Sequence, residues 1–177
     1  MKRRSVIRSL VIFTGGIVLL PACKNIPGSS SIALRSITVD EQQEKLLAEV
    51  VSVIIPKTDT PGAKELNVHL FVLKMLEDLY EKDMQQSFLI GLNKLDGFTK
   101  KQFDSSFINC TTEQKEKMLL SIEAKAAYPA EIFDFYTITK QRTIEGYLNS
   151  KYVMTNLTKY ELIPSNTYDG YYRVQNS

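Results

Sequence analysis

Apolar residues recur at intervals of three and four along most of the chain from residue 38 to residue 150. The first such run places five of them on one helical face, Leu46, Leu47, Val50, Val51 and Ile54, with charged residues on the other face. No long run alternates apolar with polar residues, as a half-buried strand would. The pattern therefore predicts an all-α fold, a compact bundle of about six short amphipathic helices around one core.

Capping residues, glycines and prolines divide this pattern into separate helices. The predicted helices run approximately from Thr38 to Ile55, Ala63 to Tyr80, Asp83 to Leu95, Lys100 to Ile108, Thr111 to Ala127 and Ile132 to Ser150. Two of them begin like a capping box, in which Thr38 pairs with Glu41 and Thr111 with Gln114. Gly97 predicts the end of the third helix.

Residues 54–66 separate the first two helices and contain two prolines, an Asx-type turn and a glycine. Pro56 cannot extend a helix, so the first helix should stop before it. Asp59 or Thr60 is predicted to cap the second helix, with Pro61 in its first turn and Glu65 near the positive end of its dipole. The residues alone favour a helix–turn–helix corner, and the alternative is a rigid knob presented to a partner protein.

The first 23 residues have the layout of an export signal. A basic segment is followed by an apolar stretch shorter than the roughly 20 residues of a transmembrane helix, and then by Leu20-Pro21-Ala22-Cys23. Arg3 and Arg4 resemble a twin-arginine signal, with a general secretory signal as the alternative. The last four residues resemble a lipobox, which predicts lipid modification of Cys23. The alternative is an ordinary cleavage site with a chance cysteine.

These features divide the chain into three parts: an export signal at residues 1–22, a lipid-anchored flexible tether at residues 23–37, and one helical domain at residues 38–177. The predicted tether contains Pro27, Gly28 and a run of three serines, which have little to bury. The C-terminal end of the domain is a tyrosine-rich tail that includes Tyr160, Tyr168, Tyr171 and Tyr172. This irregular tail either packs on its own domain or lies across a partner, since tyrosine is favoured at interfaces.

Charge and composition exclude several classes of function. The whole chain has 22 basic and 20 acidic residues, but four of the basic ones lie in the export signal. Removing these four leaves 18 basic against 20 acidic residues, a balance that argues against a nucleic-acid-binding protein. The sequence contains no dinucleotide fingerprint, no P-loop, no zinc-protease motif and no haem-attachment motif. The lone His69 is expected to be a packing or surface residue, and Cys110 a buried, inert thiol.

Three acidic residues, Asp59, Glu65 and Glu145, could act as general acids in principle, but their settings are those of helix caps and surface ion pairs. Arg142 lies three residues before Glu145 and is predicted to pair with it. Phe98, Phe103 and Phe107 are predicted to anchor the core. The sequence therefore predicts no catalytic, cofactor-binding or metal-binding residue in this chain.

Two segments carry a family resemblance. The stretch Ile54-Ile55-Pro56-Lys57-Thr58-Asp59-Thr60-Pro61-Gly62-Ala63-Lys64-Glu65 resembles the IIPxTDTPGAxE signature of the gluconate 2-dehydrogenase subunit 3 family. Gly146-Tyr147 resembles a second signature, which usually has another tyrosine where this chain has Leu148. The resemblance covers roughly residues 40 to 165, nearly the whole predicted domain.

This resemblance implies a non-catalytic small subunit of an exported flavin-dependent dehydrogenase of the glucose–methanol–choline type, acting on a sugar or sugar acid. FAD would be bound by the large partner subunit, a cytochrome c subunit could accept the electrons, and this chain would serve assembly, stability or joint export. The partner interface would comprise Thr58, Asp59, Thr60, Pro61, Gly62, Ala63, Gly146 and Tyr147. The expected location is the periplasmic side of the cell envelope, on a lipid anchor. The alternative is a stand-alone envelope lipoprotein that binds a ligand or a protein.

Overall fold

The computed structural model describes residues 30–124 and 128–158. Within these ranges the chain forms five α-helices, α1 (Glu41–Ile54), α2 (Val68–Leu79), α3 (Lys82–Phe103), α4 (Thr112–Glu123) and α5 (Ala130–Leu148), together with a 3₁₀ turn (Phe107–Asn109) and a π turn (Val153–Leu157). The described residues contain no strand, so the predicted all-α bundle is confirmed. None of the helices in these ranges has the length and apolar character needed to cross a membrane.

Helix α5 is the centre of the bundle, since α1, α2, α3 and α4 all pack against it. Phe88 of α3 and Phe135 of α5 are fully buried and meet edge to face, with 5.0 Å between the ring centroids. Gly91 lets the two helices approach closely, because a Cβ atom there would lie 2.1 Å from the carbonyl oxygen of Glu131. Burying each large apolar side chain contributes about 1.5–3 kcal/mol, so this contact is a main source of stability.

The N-cap of helix α1 lies two residues later in the chain than predicted. Its N-cap is Asp40, whose carboxylate accepts a hydrogen bond from Gln43 N at 2.8 Å while the Gln43 side chain accepts one from Asp40 N at 2.9 Å. The prediction that Thr38 caps this helix is therefore wrong. Val39, which lies between Thr38 and Asp40, is buried in the core. The capping box forms at Asp40, the residue after it. The predicted end at Ile55 is confirmed, since Ile55 is the C-cap.

Helix α3 continues through Gly97, contrary to the predicted stop. Its C-cap is Asp104 in the left-handed conformation, at φ 55°, so the predicted separate helix from Lys100 to Ile108 does not exist. Leu95 and Thr99 continue the buried face on either side of Gly97, which is itself exposed. Burial of this face outweighs the roughly 1 kcal/mol that glycine costs in a helix interior.

The other helix boundaries and anchors follow the sequence pattern more closely. Thr111 caps α4 in a capping box with Gln114, as predicted. The predicted ion pair between Arg142 and Glu145 forms. Phe107 is fully buried, whereas Phe98 and Phe103 are partly buried and pack against the core.

Residues 30–37, here called the N-terminal strap, lie against the bundle. Ile37 is buried, and two further strap residues, Ile32 and Leu34, pack against the core. Glu44 of α1 accepts hydrogen bonds from the backbone N and the hydroxyl of Ser31, both at 2.6 Å. Glu77 of α2 accepts hydrogen bonds from the backbone N atoms of Arg35 and Ser36. The sequence predicted these residues to be the end of a tether, and in this structure their apolar side chains pack on the bundle.

Several predictions fall on residues outside the described ranges. These are the twin-arginine pair Arg3 and Arg4, the lipidation site Cys23, residues 125–127 at the predicted end of the fifth helix, and the tyrosine-rich tail from residue 159 onward. They stay predictions from the sequence.

Candidate functional site

The two segments that carry the family resemblance meet at one corner of the bundle. The Tyr147 hydroxyl, near the end of α5, donates a hydrogen bond to the carbonyl oxygen of Pro61 at 3.2 Å. These residues are 86 positions apart in the chain. The fold therefore combines the two motifs into a single feature, the corner between α1 and α2.

Backbone hydrogen bonds close this corner. Ala63 N donates to the carbonyl oxygen of Ile55 at 3.0 Å, and Thr58 N donates to that of Thr60 at 3.0 Å. Gly62 lies where the loop folds back on itself: a Cβ atom there would be 2.6 Å from Lys57 N and 2.7 Å from the Ile55 carbonyl oxygen. Both of these are backbone atoms, which cannot rotate away as the end of a side chain can. Only glycine fits at this position without displacing the loop.

Helix α2 begins later than predicted. Residues 63–67 form turns, and the N-cap is Asn67 in the left-handed conformation at φ 54°, so α2 starts at Val68. The predicted cap at Asp59 or Thr60 is therefore wrong. Glu65 was predicted to lie in the first turn of this helix, near the positive end of its dipole, but it precedes the helix. Its carboxylate accepts a hydrogen bond from Gly62 N at 3.0 Å. This bond and the Ala63–Ile55 bond hold the chain in a turn where local preferences suggested a helix.

Gly146 brings α5 into close contact with α2. A Cβ atom at Gly146 would lie 2.5 Å from Cδ1 of Phe71 and 3.0 Å from Cγ1 of Val68. Gly146 is buried, and Tyr147 beside it is half-buried with its hydroxyl on Pro61. The second motif thus sets how near α5 comes to the corner, and its tyrosine fastens the corner to α5.

The first motif divides into a buried part and an exposed part. Gly62 and Ala63 are buried, Thr60 and Pro61 are half-buried, and residues 56–59 are exposed. We call Pro56, Lys57, Thr58 and Asp59 the corner tip. In the described part of the chain, the side chains of Lys57, Thr58 and Asp59 have no hydrogen-bond or ion-pair partner. The corner tip is therefore held in shape by the backbone while its polar side chains are available.

A carboxylate flanked by two lysines fixes the far side of the corner. Glu49 of α1 pairs with Lys64, inside the first motif, and with Lys115 of α4 at 2.6 Å. Burial raises the pKa of Glu49, but the hydrogen bonds from Lys115 and Lys64 outweigh it and hold the pKa below the ordinary value of 4.5. The Glu49 carboxylate therefore stays ionised at neutral pH and links the corner to α4.

Outside the corner tip, the residues raised as chemical candidates are buried or paired. His69 is buried with its Nε2 atom 3.7 Å from Glu44, and burial lowers the pKa of His69 against the opposing effect of that carboxylate. Cys110 is buried and is not in a disulfide. Glu65 is bonded to Gly62 and Glu145 to Arg142. Within residues 30–124 and 128–158 no cluster of three or more His, Cys, Asp or Glu side chains is arranged to hold a metal ion.

Two open depressions adjoin one another along α5. One, of about 280 Å³, lies between α1, α4 and α5 and includes Ile54 and Leu120. The other, of about 400 Å³, continues along α5 to Ile144, and both are lined by Tyr136 and Lys140. Leu120 is 64% exposed. Both depressions open to solvent.

Sequence reasoning identified the residues of the corner but not its construction. The contact of Tyr147 with Pro61 and that of Gly146 with Phe71 join segments far apart in the chain, and no local pattern indicates them. The pairing of Glu49 with both Lys64 and Lys115 was missed for the same reason. The two glycines were the available signals, since glycine commonly marks a close approach of two backbones.

A model of one protein family matches residues 41–164, and its description is gluconate 2-dehydrogenase subunit 3. The match covers both motifs and nearly all of the described bundle. It confirms the resemblance that the two motifs predicted. No curated protein and no solved structure matches the chain.

Proposed function

This chain belongs to the gluconate 2-dehydrogenase subunit 3 family, and from that membership we propose that it is a non-catalytic small subunit of an exported, flavin-dependent dehydrogenase of the glucose–methanol–choline type. The family consists of subunits of a dehydrogenase complex. Catalysis and FAD binding are assigned to the large partner subunit, which oxidises a sugar or sugar acid and could pass electrons to a cytochrome c subunit. This chain would aid assembly, stability or co-export of that partner.

The family match carries the proposal, and the construction of the corner supports it. In this chain Gly62 and Gly146 of the two motifs allow close packing, and Tyr147 forms a hydrogen bond with Pro61. Their effect is to hold an exposed polar tip in a fixed shape on a helical scaffold. A fixed, exposed loop suits recognition of another protein, because little conformational freedom is lost on binding.

The proposed location follows from the leader. Arg3 and Arg4 would direct export of a folded chain, and a large subunit without its own signal could travel with it. Lipid modification at Cys23 would then keep the complex on the periplasmic side of a membrane of the cell envelope.

The test is purification of the tagged full-length chain from the native envelope under mild detergent conditions. The expected result is a stoichiometric second protein whose absorbance spectrum is that of a bound flavin, identified by mass spectrometry as a dehydrogenase. The matched control is the same preparation from cells that carry the untagged chain. A colourless, lone chain from cells that demonstrably express the flavoprotein would refute the proposal. It would favour a stand-alone envelope lipoprotein, for which the depressions along α5 are the first places to look for a ligand.

A further inference from the structure

We infer that the corner tip is the part of the first motif that contacts the dehydrogenase subunit, and that Tyr147 is a positioning residue that holds the tip in its binding shape. This inference rests on the proposed function and assigns different roles to residues of the same motif. The tip binds, whereas Gly62, Ala63 and Gly146 support it from within the bundle.

Burial separates these two roles. Ala63 is fully buried, and Gly62 and Gly146 are buried as well, so a partner could touch them only if the corner opened. Residues 56–59 are exposed. A surface that recognises the folded chain therefore meets the tip first, and the buried motif residues act through the shape they impose on it.

The tip is held from both ends. At its start, the Ile55 carbonyl oxygen accepts a hydrogen bond from Ala63 N, and Thr58 N is bonded to the Thr60 carbonyl oxygen within the loop. Two residues after the tip, the Pro61 carbonyl oxygen accepts a hydrogen bond from the Tyr147 hydroxyl. Because these bonds form when the chain folds, the loop loses little further backbone freedom when a partner binds.

The unpaired side chains indicate the chemistry of the partner surface. Lys57 presents an ammonium group and Asp59 a carboxylate, and in the described part of the chain neither has a partner. A matching surface would offer an acidic or carbonyl acceptor to Lys57 and an arginine, lysine or backbone donor to Asp59. Such contacts specify orientation and association rate, and they weaken as salt concentration rises.

The first experiment reverses both charges of the tip. The variant combining Lys57→Glu with Asp59→Lys keeps the net charge and is expected to weaken association of the full-length chain with the flavoprotein dehydrogenase by about tenfold or more. The matched control combines Glu81→Lys with Lys82→Glu, which also keeps the net charge; both residues are exposed at the start of α3, and neither side chain has a partner in the described part of the chain. That control is expected to leave the affinity unchanged.

The second experiment removes one hydroxyl group. Tyr147→Phe is expected to weaken association by about three- to tenfold, the effect of one net hydrogen bond. It should also speed amide hydrogen exchange at Thr58 and Ala63, a readout that needs no partner. The control is Tyr128→Phe, which removes a half-buried hydroxyl bonded to Ser121 at 2.8 Å and leaves the corner intact.

The outcomes separate this inference from the proposed function. If the wild-type chain binds the dehydrogenase and the tip variant binds equally well, the inference is wrong and the proposed function stands. If Tyr147→Phe leaves both the affinity and the exchange rates at wild-type values, the positioning role is wrong. If the wild-type chain binds no dehydrogenase subunit at all, the proposed function and the assigned role of the tip are both refuted.

Discussion

Gly91 sets the distance between α3 and α5, and replacing it by alanine tests how tightly these two helices pack. A Cβ atom at this position would lie 2.1 Å from the Glu131 carbonyl oxygen and 2.6 Å from the Phe135 Cβ atom. Overpacking a core typically costs about 1–3 kcal/mol, and the upper end applies because a backbone carbonyl cannot rotate away. Alanine returns up to about 1 kcal/mol through its higher helix propensity.

The expected net effect of Gly91→Ala is a loss of about 2 kcal/mol in the free energy of unfolding. For a chain of this length, such a loss lowers the melting temperature by about 4–8 °C. The matched control lies in the same helix. Gly97 is exposed, and an added Cβ atom there meets nothing within 4 Å. Gly97→Ala should therefore stabilise the protein by about 0.5–1 kcal/mol.

The measurement is urea unfolding followed by far-ultraviolet circular dichroism, with thermal melts of the same samples. The two substitutions should act in opposite directions with similar slopes in urea, since neither should alter the surface exposed on unfolding. A Gly91→Ala variant as stable as the wild type would show that α3 and α5 are not in close contact there. A destabilising Gly97→Ala would show that α3 does not continue through residue 97.

Three further predictions concern the N-terminal half. Asp40→Ala should cost about 1 kcal/mol in urea unfolding and Thr38→Ala little, and equal losses would contradict the observed cap. The pKa of Glu77 is lowered to about 2, first by the Ser36 backbone N–H. This pKa in the folded protein lies below the ordinary value of 4.5. The stabilisation by Glu77 is therefore present above pH 4.5 and is lost as the pH falls through about 2. Melting temperatures of the wild type and Glu77→Gln should therefore differ at neutral pH and converge towards pH 2; a constant difference would contradict this. Glu49→Gln should cost about 1 kcal/mol at pH 7 in urea unfolding and less in acid, since the pKa of Glu49 is also lowered; an unchanged urea midpoint at pH 7 would contradict this.

Helix boundaries were predictable where one local rule acted without competition. Pro56 ends α1 because proline removes a hydrogen-bond donor from the helix, and nothing nearby opposes it. Thr111 and Gln114 form the capping box that their spacing suggests. At the start of α1 two boxes overlap, beginning at Thr38 and Asp40, and only tertiary packing selects between them.

Predictions failed where hydrogen bonds across a loop, or burial of one helix face, outweigh the local preferences. Local preferences start a helix at Pro61, but the bonds of Ala63 to Ile55 and of Gly62 to Glu65 hold a turn there instead. Gly97 looks like a helix stop, but burial of neighbouring positions carries α3 through it. The residues of the corner are recognisable in the sequence, whereas the hydrogen bond from Tyr147 to Pro61 is not.

The long separation between Pro61 and Tyr147 has a consequence for the order of folding. During synthesis the segment with Pro61 emerges well before α5, so the corner cannot take its final form until α5 has docked. A chain that ends before Tyr147 has the same sequence at residues 56–59 but lacks the contact that fixes its shape. A protein that recognises the finished corner thereby distinguishes completed chains from incomplete ones, and the corner reports that the whole bundle has assembled.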